Sequence, residues 1–204
     1  HDGMTPEEKR ELLLRYVKEG RPFFESDGSN MRHLDFSGAN LSGVDLSRTV
    51  LDGANLIGAN LEGVLLSGAR LDGALLADAN MRRANCWAAT FFDGTLDGAD
   101  VTDADFQMAQ VEGASMAGVV GTPESVDEMR FDLETVERSG WTAEFVAELC
   151  RRGAQPVGLN EFPEAVRRAV LGEGAGLTLT FDARLHRFDA TAFDALIAEV
   201  LGPD

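Results

Sequence analysis

The apolar positions of this chain follow a strict period of five residues from Phe36 to Met116. Over seventeen consecutive units, every fifth residue is Phe, Leu, Met, Cys or Val, and a small or apolar residue, most often Ala, precedes it by two positions. We call these seventeen residues the centres: Phe36, Leu41, Leu46, Leu51, Leu56, Leu61, Leu66, Leu71, Leu76, Met81, Cys86, Phe91, Leu96, Val101, Phe106, Val111 and Met116. A short period repeated without interruption indicates a solenoid, and a solenoid favours binding over catalysis.

A period of five fits neither an α-helix nor a flat strand. On a helix, five residues advance each centre by roughly 140° around the axis, so the centres would spread over the whole surface. On a flat strand, an odd period places successive centres on opposite faces. The centres share one core only if the chain turns by a constant amount in each unit. The pattern therefore predicts a coil whose successive turns pair as strands about 4.8 Å apart.

Two recurring polar signals support this turning chain. Gly follows ten of the centres by two positions, where a turn needs unusual backbone angles. Asn or Asp directly precedes nine of the centres, and we expect these side chains to hydrogen-bond nearby backbone at the turns.

The units GANLS, GANLI, GANLE, GARLD and GADVT resemble the pentapeptide-repeat family, whose usual unit is A(D/N)LXX. The resemblance covers residues 31–120. It implies a mainly β fold, a right-handed quadrilateral β-helix with four pentapeptides in each square coil. On that basis the seventeen units make just over four coils.

The segments on either side of the repeat predict caps, because a stack of coils exposes apolar core and backbone edges at its ends. Residues 1–30 form an N-terminal capping helix and lead-in, since Thr5-Pro6-Glu7-Glu8 is a capping box. Residues 121–204 predict a small C-terminal α+β domain, with helices over 122–138, 142–152, 163–171 and 190–201 and a strand over 177–181. The partner of that strand is a segment near 184–188, the solenoid edge or a second copy of the chain.

The charge of the chain limits the classes of partner. The formal net charge is −17, from 35 acidic and 18 basic residues. Acidic residues outnumber basic ones by 7 to 5 in residues 1–30, by 12 to 5 in 31–120 and by 16 to 8 in 121–204. A negative surface repels phosphate backbones and anionic lipids, so we expect no direct nucleic-acid or membrane binding.

No residue pattern indicates catalysis, a metal or a cofactor. His33 and His186 lie in different predicted domains without Cys or His at ligand spacing, and no nucleophile, phosphate or dinucleotide motif is present. We therefore expect a protein that is not an enzyme. Cys86 is a centre and should be buried. The sequence allows a disulfide between Cys86 and Cys150 but does not require one. The apolar runs are too short for a signal peptide or a membrane helix, and we expect a cytoplasmic protein.

Some outward positions of the predicted coils are apolar instead of polar. They are Val50, Ile57, Leu65, Leu75, Trp87 and Phe92. Either the C-terminal domain folds back over part of them, or they form an exposed partner site. In the second case Leu65, Trp87 and Phe92 are the candidate partner-binding residues.

Acidic residues are concentrated in the last predicted coils. No Lys or Arg occurs between Arg83 and Arg130, whereas Asp97, Asp100, Asp103 and Asp105 point outward. They form either an ordinary solvated surface or a row of carboxylates that imitates DNA phosphates. The second interpretation rests on a resemblance to quinolone-resistance members of the family, which are anionic solenoids that occupy the DNA-binding site of type II topoisomerases.

Our leading hypothesis is a non-enzymatic protein-interaction scaffold with a rigid acidic β-helical surface. Its partner is a protein of unknown identity, and the C-terminal domain docks that partner or a second copy to form a homodimer. The alternative is a DNA mimic that protects or inhibits DNA gyrase.

Overall fold

The computed structural model describes residues 3, 5–19 and 31–172 of the chain. Between residues 31 and 130 the backbone forms a β-helix, in which parallel bridges join residues that are twenty apart, from Asp35 with Asn55 to Gln110 with Arg130. Five coils of twenty residues result, and each coil has four sides separated by corners. The centre side chains point inward, and those of Leu41, Leu61 and Leu71 are fully buried. The period of five therefore creates one continuous apolar core.

We number the four sides of the β-helix in chain order by their columns of bridged residues. The first side carries the column 35, 55, 75, 95 and 115, and the second carries 40, 60, 80, 100 and 120. The third side carries 45, 65, 85, 105 and 125, and the fourth carries 50, 70, 90, 110 and 130.

The Asn and Asp side chains that precede the centres bond to backbone as expected. The side-chain Oδ1 of Asn85 accepts a hydrogen bond from the amide of Trp87 at 3.1 Å, and that of Asp100 accepts one from Thr102 at 3.0 Å. On the second side, the amide groups of Asn40, Asn60 and Asn80 also bond to one another at 3.3 Å. The bonds from the Trp87 and Thr102 amides satisfy outward backbone donors that the ladder between coils leaves unpaired.

The corners require a left-handed backbone conformation. Gly58, which has a φ of 66°, adopts it without a Cβ penalty. Nine non-glycine residues in the described part of the chain also adopt positive φ, and Ala88 at 56° is one of them. The repeat therefore imposes this conformation whether or not the residue favours it.

The β-helix extends beyond the boundary expected at residue 120. Val126 and Phe131 are buried centres of the same period, and residue 125 bridges to residue 105. The expected helix over 122–138 is wrong, since α2 spans only Leu133–Ser139. Pro123 resembles a helix start, and Gly121 interrupts the apolar series, so the last coil is hard to detect in the sequence.

The N-terminal helix α1 (Pro6–Lys18) contacts the first coil. The expected capping box is confirmed: the Thr5 hydroxyl accepts from the Glu8 amide, and the Glu8 carboxylate accepts from the Thr5 amide. The Arg10 guanidinium of this helix donates to the carbonyl oxygens of Asp35 at 2.9 Å and Ser37 at 2.6 Å. In later coils these carbonyls accept from the preceding coil, so Arg10 replaces a missing turn.

The C-terminal end of the β-helix carries a small helical unit. The short strand β1 (Arg130–Phe131) pairs in parallel with β2 (Gln155–Pro156), which lengthens the fourth side by one strand. Helix α3 (Ala143–Arg151), a 3-10 turn (Leu159–Glu161) and α4 (Glu164–Val170) complete the unit.

Four aromatic rings form the core of this unit. The Trp141 ring lies 5.9 Å from that of Phe131 and 5.2 Å from that of Phe145, and Phe162 packs 6.3 Å from Phe131. The helices expected over 142–152 and 163–171 are confirmed. The expected strand over 177–181 and helix over 190–201 lie outside the described residues. Within the described part, no helix is long and apolar enough to cross a membrane.

Candidate interaction surfaces

Two of the predicted partner-binding residues lie together on the third side. Leu65 and Trp87 occupy adjacent coils, with 39% and 44% of their surfaces exposed. Met108, which is 40% exposed, lies at the corner that follows the third side in the next coil. The sequence reasoning missed Met108, although Met at a position that usually carries Gly was a detectable signal. We call Leu65, Trp87 and Met108 the third-side patch.

Phe92 does not belong to this patch. It lies on the fourth side, where it is half-buried and its amide donates to Asp72 Oδ1 at 3.2 Å. Ile57 and Leu75 lie on the first side and are 40% and 39% exposed. The apolar outward residues are therefore distributed over several sides.

The described C-terminal helices contact the end of the last coil instead of its outward sides. The Thr135 hydroxyl donates to Val111 O at 2.7 Å, and the Ser139 hydroxyl accepts from the Met116 amide at 2.8 Å. The Arg138 guanidinium donates to Gly113 O. Within the described residues, the helices of the C-terminal unit leave Leu65 and Trp87 exposed.

The four predicted acidic residues lie on three sides and one corner. Asp97 is on the first side, where its Oδ1 accepts from the Ser115 hydroxyl at 2.5 Å and the Ala117 amide at 3.2 Å. Asp105 is on the third side, where its Oδ1 accepts from the Gln107 amide at 2.8 Å. Asp103 is exposed at a corner with a φ of 58°. Asp97, Asp103 and Asp105 thus do not form one row with Asp100.

Asp100 lies on the second side and is paired with a base. Its Oδ2 accepts from Arg82 Nη1 at 3.2 Å, and its Oδ1 accepts from the Thr102 hydroxyl at 2.6 Å. Partial burial raises the pKa of Asp100, but the bonds from Thr102 and Arg82 outweigh it and lower the pKa below its usual value. On the same side, Glu62 forms an ion pair with Arg83. These pairs reduce the negative charge of the second side.

Glu112 is the acidic residue with the opposite shift. Burial raises its pKa above the usual value, despite the nearby charge of Arg130, and its Oε1 is buried without a hydrogen-bond partner among the described residues. Burial therefore destabilises the ionised form of Glu112 more than that of the outward Asp side chains.

The two cysteines are free thiols. Burial and the nearby Asp105 raise the pKa of the fully buried Cys86, and burial raises that of Cys150 to about 12. Neither thiol is therefore ionised at neutral pH, which removes the usual basis of cysteine reactivity. Across the described ranges, no group of three His, Cys, Asp or Glu side chains could hold a metal ion.

Comparison with protein families identifies the repeat. The family model described as pentapeptide repeats matches residues 29–68 and 69–107, with eight copies. Residues 29–107 belong to the pentapeptide-repeat family. This match does not point to a catalytic family, and no curated protein matches the chain.

Solved structures of other pentapeptide-repeat proteins are similar to this chain in fold. Rfr23 from the cyanobacterium Cyanothece 51142 is 21% identical, with a TM-score of 0.50 over 52% of this chain and 85% of Rfr23. HetL from Nostoc sp. strain PCC 7120, involved in heterocyst differentiation regulation, is 24% identical, with a TM-score of 0.53. That match covers 59% of this chain and about half (52%) of HetL. Family members of this kind form right-handed β-helices.

The structure of a plasmid-mediated fluoroquinolone-resistance protein also matches part of this chain. QnrB1 is 16% identical over 55% of this pentapeptide-repeat chain and 65% of QnrB1, with a TM-score of 0.29. A TM-score this low does not show a common overall fold.

Proposed function

We propose that this chain is a non-enzymatic protein-interaction scaffold that binds a protein partner through the third-side patch. The observation that carries the proposal is the exposure of Leu65 and Trp87 on adjacent coils of a rigid wall. Trp is enriched among residues that dominate binding energy, and exposed apolar clusters mark interaction sites. Because hydrogen bonds fix the backbone between coils, the patch needs little ordering on binding, which reduces the entropic cost.

The surroundings of the patch favour a partner with basic groups. Asp105 lies on the same side one coil beyond Trp87, and exposed Asp103 lies at the corner before it. Carboxylates at the rim of an apolar patch accelerate association with a positively charged surface.

A DNA mimic is supported less well by the geometry. Regularly spaced carboxylates would have to form one row, whereas Asp97, Asp100 and Asp105 lie on three different sides and Asp100 is paired with Arg82. A gyrase supercoiling assay separates the two functions. Inhibition that is lost on reversing Asp97, Asp100 and Asp103 to Lys would favour mimicry, and no inhibition at micromolar concentration would exclude it for that enzyme.

The scaffold proposal is tested by comparing two double variants. Leu65→Ser with Trp87→Ser removes the third-side patch, and Ile57→Ser with Leu75→Ser removes equally exposed residues from the first side. We expect proteins captured from a lysate of the source organism to be retained by the second variant and lost with the first, as quantified by mass spectrometry. Equal capture by both variants would contradict the assignment. Thermal unfolding of both proteins controls for misfolding.

A further inference from the structure

The exposed C-terminal edge of the last coil, which we call its upper edge, is capped by side chains and backbone at three positions. The Gly113 amide donates to Asp132 Oδ1 at 3.0 Å, and the Met116 amide donates to the Ser139 hydroxyl at 2.8 Å. The Glu128 amide donates to Gly153 O at 2.8 Å. These groups replace the carbonyls that a sixth coil would supply.

The third side of this edge is open. In the coil below, the Phe106 amide donates to Ser125 O at 2.9 Å, which is the regular bond between coils. The equivalent amide, that of Val126, has no acceptor among the described residues. An uncapped amide at a strand edge is a site where another chain can add a strand.

A groove lies above this open edge. Its volume is about 350 Å³, and it is bounded by residues 123–126 on the β-helix side and by α3 on the other. The nearly buried side chains of Val126, Phe145 and Leu149 form the apolar floor of the groove, and Glu148 and Arg152 lie on the α3 side. One side of a coil holds about three extended residues, roughly 10 Å of chain. The groove is therefore matched to a short extended segment with an apolar central residue.

The charges around the groove favour a basic segment. Glu124, Asp127 and Glu128 are exposed on the β-helix side, and none forms an ion pair within the described part of the chain. On the α3 side, Glu148 is paired with Arg151 at 2.8 Å and Arg152 at 3.0 Å. Glu124 lines the groove and Asp127 and Glu128 follow it on the same coil, so the β-helix side of the rim is negative and complements Lys or Arg in the bound segment. On the α3 side, Arg151 and Arg152 outnumber Glu148.

We propose that this groove binds an extended segment of a partner protein, in which an apolar residue is flanked by Lys or Arg, by strand addition to the third side. The apolar residue packs in the groove over Val126, Phe145 and Leu149, and the segment's backbone carbonyl accepts from the Val126 amide. This site lies beyond the third-side patch and does not depend on its role.

The test uses the full chain and a fluorescein-labelled Gly-Lys-Leu-Lys-Gly amide. We expect saturable binding by fluorescence anisotropy, and slower hydrogen exchange of the Val126 amide by nuclear magnetic resonance. Peptides with Asp or D-Leu in place of the central Leu should bind at least about tenfold more weakly, since an extended peptide with either residue cannot place an apolar side chain in the groove. Absence of binding at about 1 mM peptide, or an unchanged Val126 amide, would overturn the proposal.

A matched pair of charge variants sharpens the test. Glu124→Lys reverses a rim charge, whereas Glu137→Lys reverses an exposed charge on α2, outside the groove lining. We expect Glu124→Lys to weaken peptide binding by about fivefold or more and Glu137→Lys to change it little. Equal effects of both variants would overturn the site. If sedimentation shows instead that the chain dimerises and that dimerisation blocks the peptide, the occupant is a second copy and the proposal is wrong.

Discussion

The β-helix and the C-terminal helical unit are stabilised by different kinds of contact. In the β-helix each coil bonds only to its neighbours, and the same Leu and Ala positions recur in every turn. The helical unit has no repeat, and the centre of its core is a cluster of four aromatic rings. A change in one coil therefore removes one of many similar contacts, whereas a change in the cluster affects the whole unit.

The largest expected effect comes from burying a charge in the β-helix. Leu61 is fully buried at a centre, so Leu61→Ala should cost about 2–5 kcal/mol through lost burial and a cavity. Leu61→Asp should cost more, because a carboxylate would be buried without a partner. Urea unfolding measures both changes. Ser67→Asp, on an outward position, is the control, and an equally large loss there would show that the inward register is wrong.

The aromatic cluster should be the most sensitive point of the helical unit. Trp141 is 2% exposed, and Trp141→Ala should cost about 3–5 kcal/mol. Hydrogen exchange should accelerate in α2 and α3 but not in the first three coils, because solenoid units depend mainly on their neighbours. Uniform acceleration along the chain would contradict the distinction between the two regions.

The junction between the regions depends on side-chain caps. Ser139→Ala leaves the buried Met116 amide without an acceptor and should cost about 1–3 kcal/mol in the free energy of unfolding. Ser42 is exposed and its hydroxyl makes no hydrogen bond in the described part of the chain, so Ser42→Ala should change stability by less than about 0.5 kcal/mol. Similar losses for the two variants would argue against this capping.

Corner residues test whether the repeat imposes its backbone. Ala88→Gly should stabilise the protein by about 0.4–1 kcal/mol, since it removes a left-handed Ala. The reverse change, Gly58→Ala, should cost about 1 kcal/mol through backbone strain alone, because a Cβ there meets no atom within 4 Å. Thermal unfolding of both variants checks the opposite signs, and equal signs would contradict the corner assignment.

The smallest effect is a pH dependence at Glu112. Its raised pKa in the folded state means that its contribution to stability is present below its unfolded pKa, about 4.5, and is lost as the pH rises through the folded pKa. Glu112→Gln should therefore be slightly more stable than the parent at pH 7 and indistinguishable from it near pH 3.5. Urea unfolding at the two pH values measures this, with exposed Glu124→Gln as the control. A difference that grows toward acid would contradict the sign.

Asp35 and Asp45 have the opposite pH dependence to Glu112, and their contribution to wild-type stability, measured by urea unfolding, should fall in acid. The Ser37 hydroxyl and amide lower the pKa of Asp35, and Ser47 does the same for Asp45. Groups whose folded pKa is lowered contribute stability above their unfolded pKa, and that contribution is lost as the pH falls through the folded value.

The predictability of the fold differs between the two regions for a physical reason. In the β-helix each side chain's environment depends on position within five residues, so the centres and the capping roles of Asn85 and Asp100 could be inferred locally. The last coil was missed because Gly121 and Pro123 break the local pattern, while the bridge from Ser125 to Asp105 is set by pairing with the coil below. The helices around Thr142 and Pro163 carried their own start signals and were found.

The candidate sites were only partly predictable. Leu65 and Trp87 were identifiable as apolar residues at outward positions, and the twenty-residue coil placed them on one side. The same coil length assigns Phe92 to another side, and Met108 could have been added from its place in the repeat, although the sequence reasoning missed it. The groove beside Val126 combines two segments with no common sequence pattern, so no local signal indicated it.

The sequence alone determined a coiled chain with one core and its register, because with a period of five the centres share a core only if the chain turns by a constant amount in each unit. The repeat units themselves indicated the family through their resemblance to its motif. The sequence also determined the excess of acidic residues. Only the tertiary structure decided where the β-helix ends, which carboxylates are paired and which apolar residues stay exposed. These features depend on contacts between residues about twenty or more positions apart. Such contacts form when the coils stack and the ends are capped, and no local pattern encodes them.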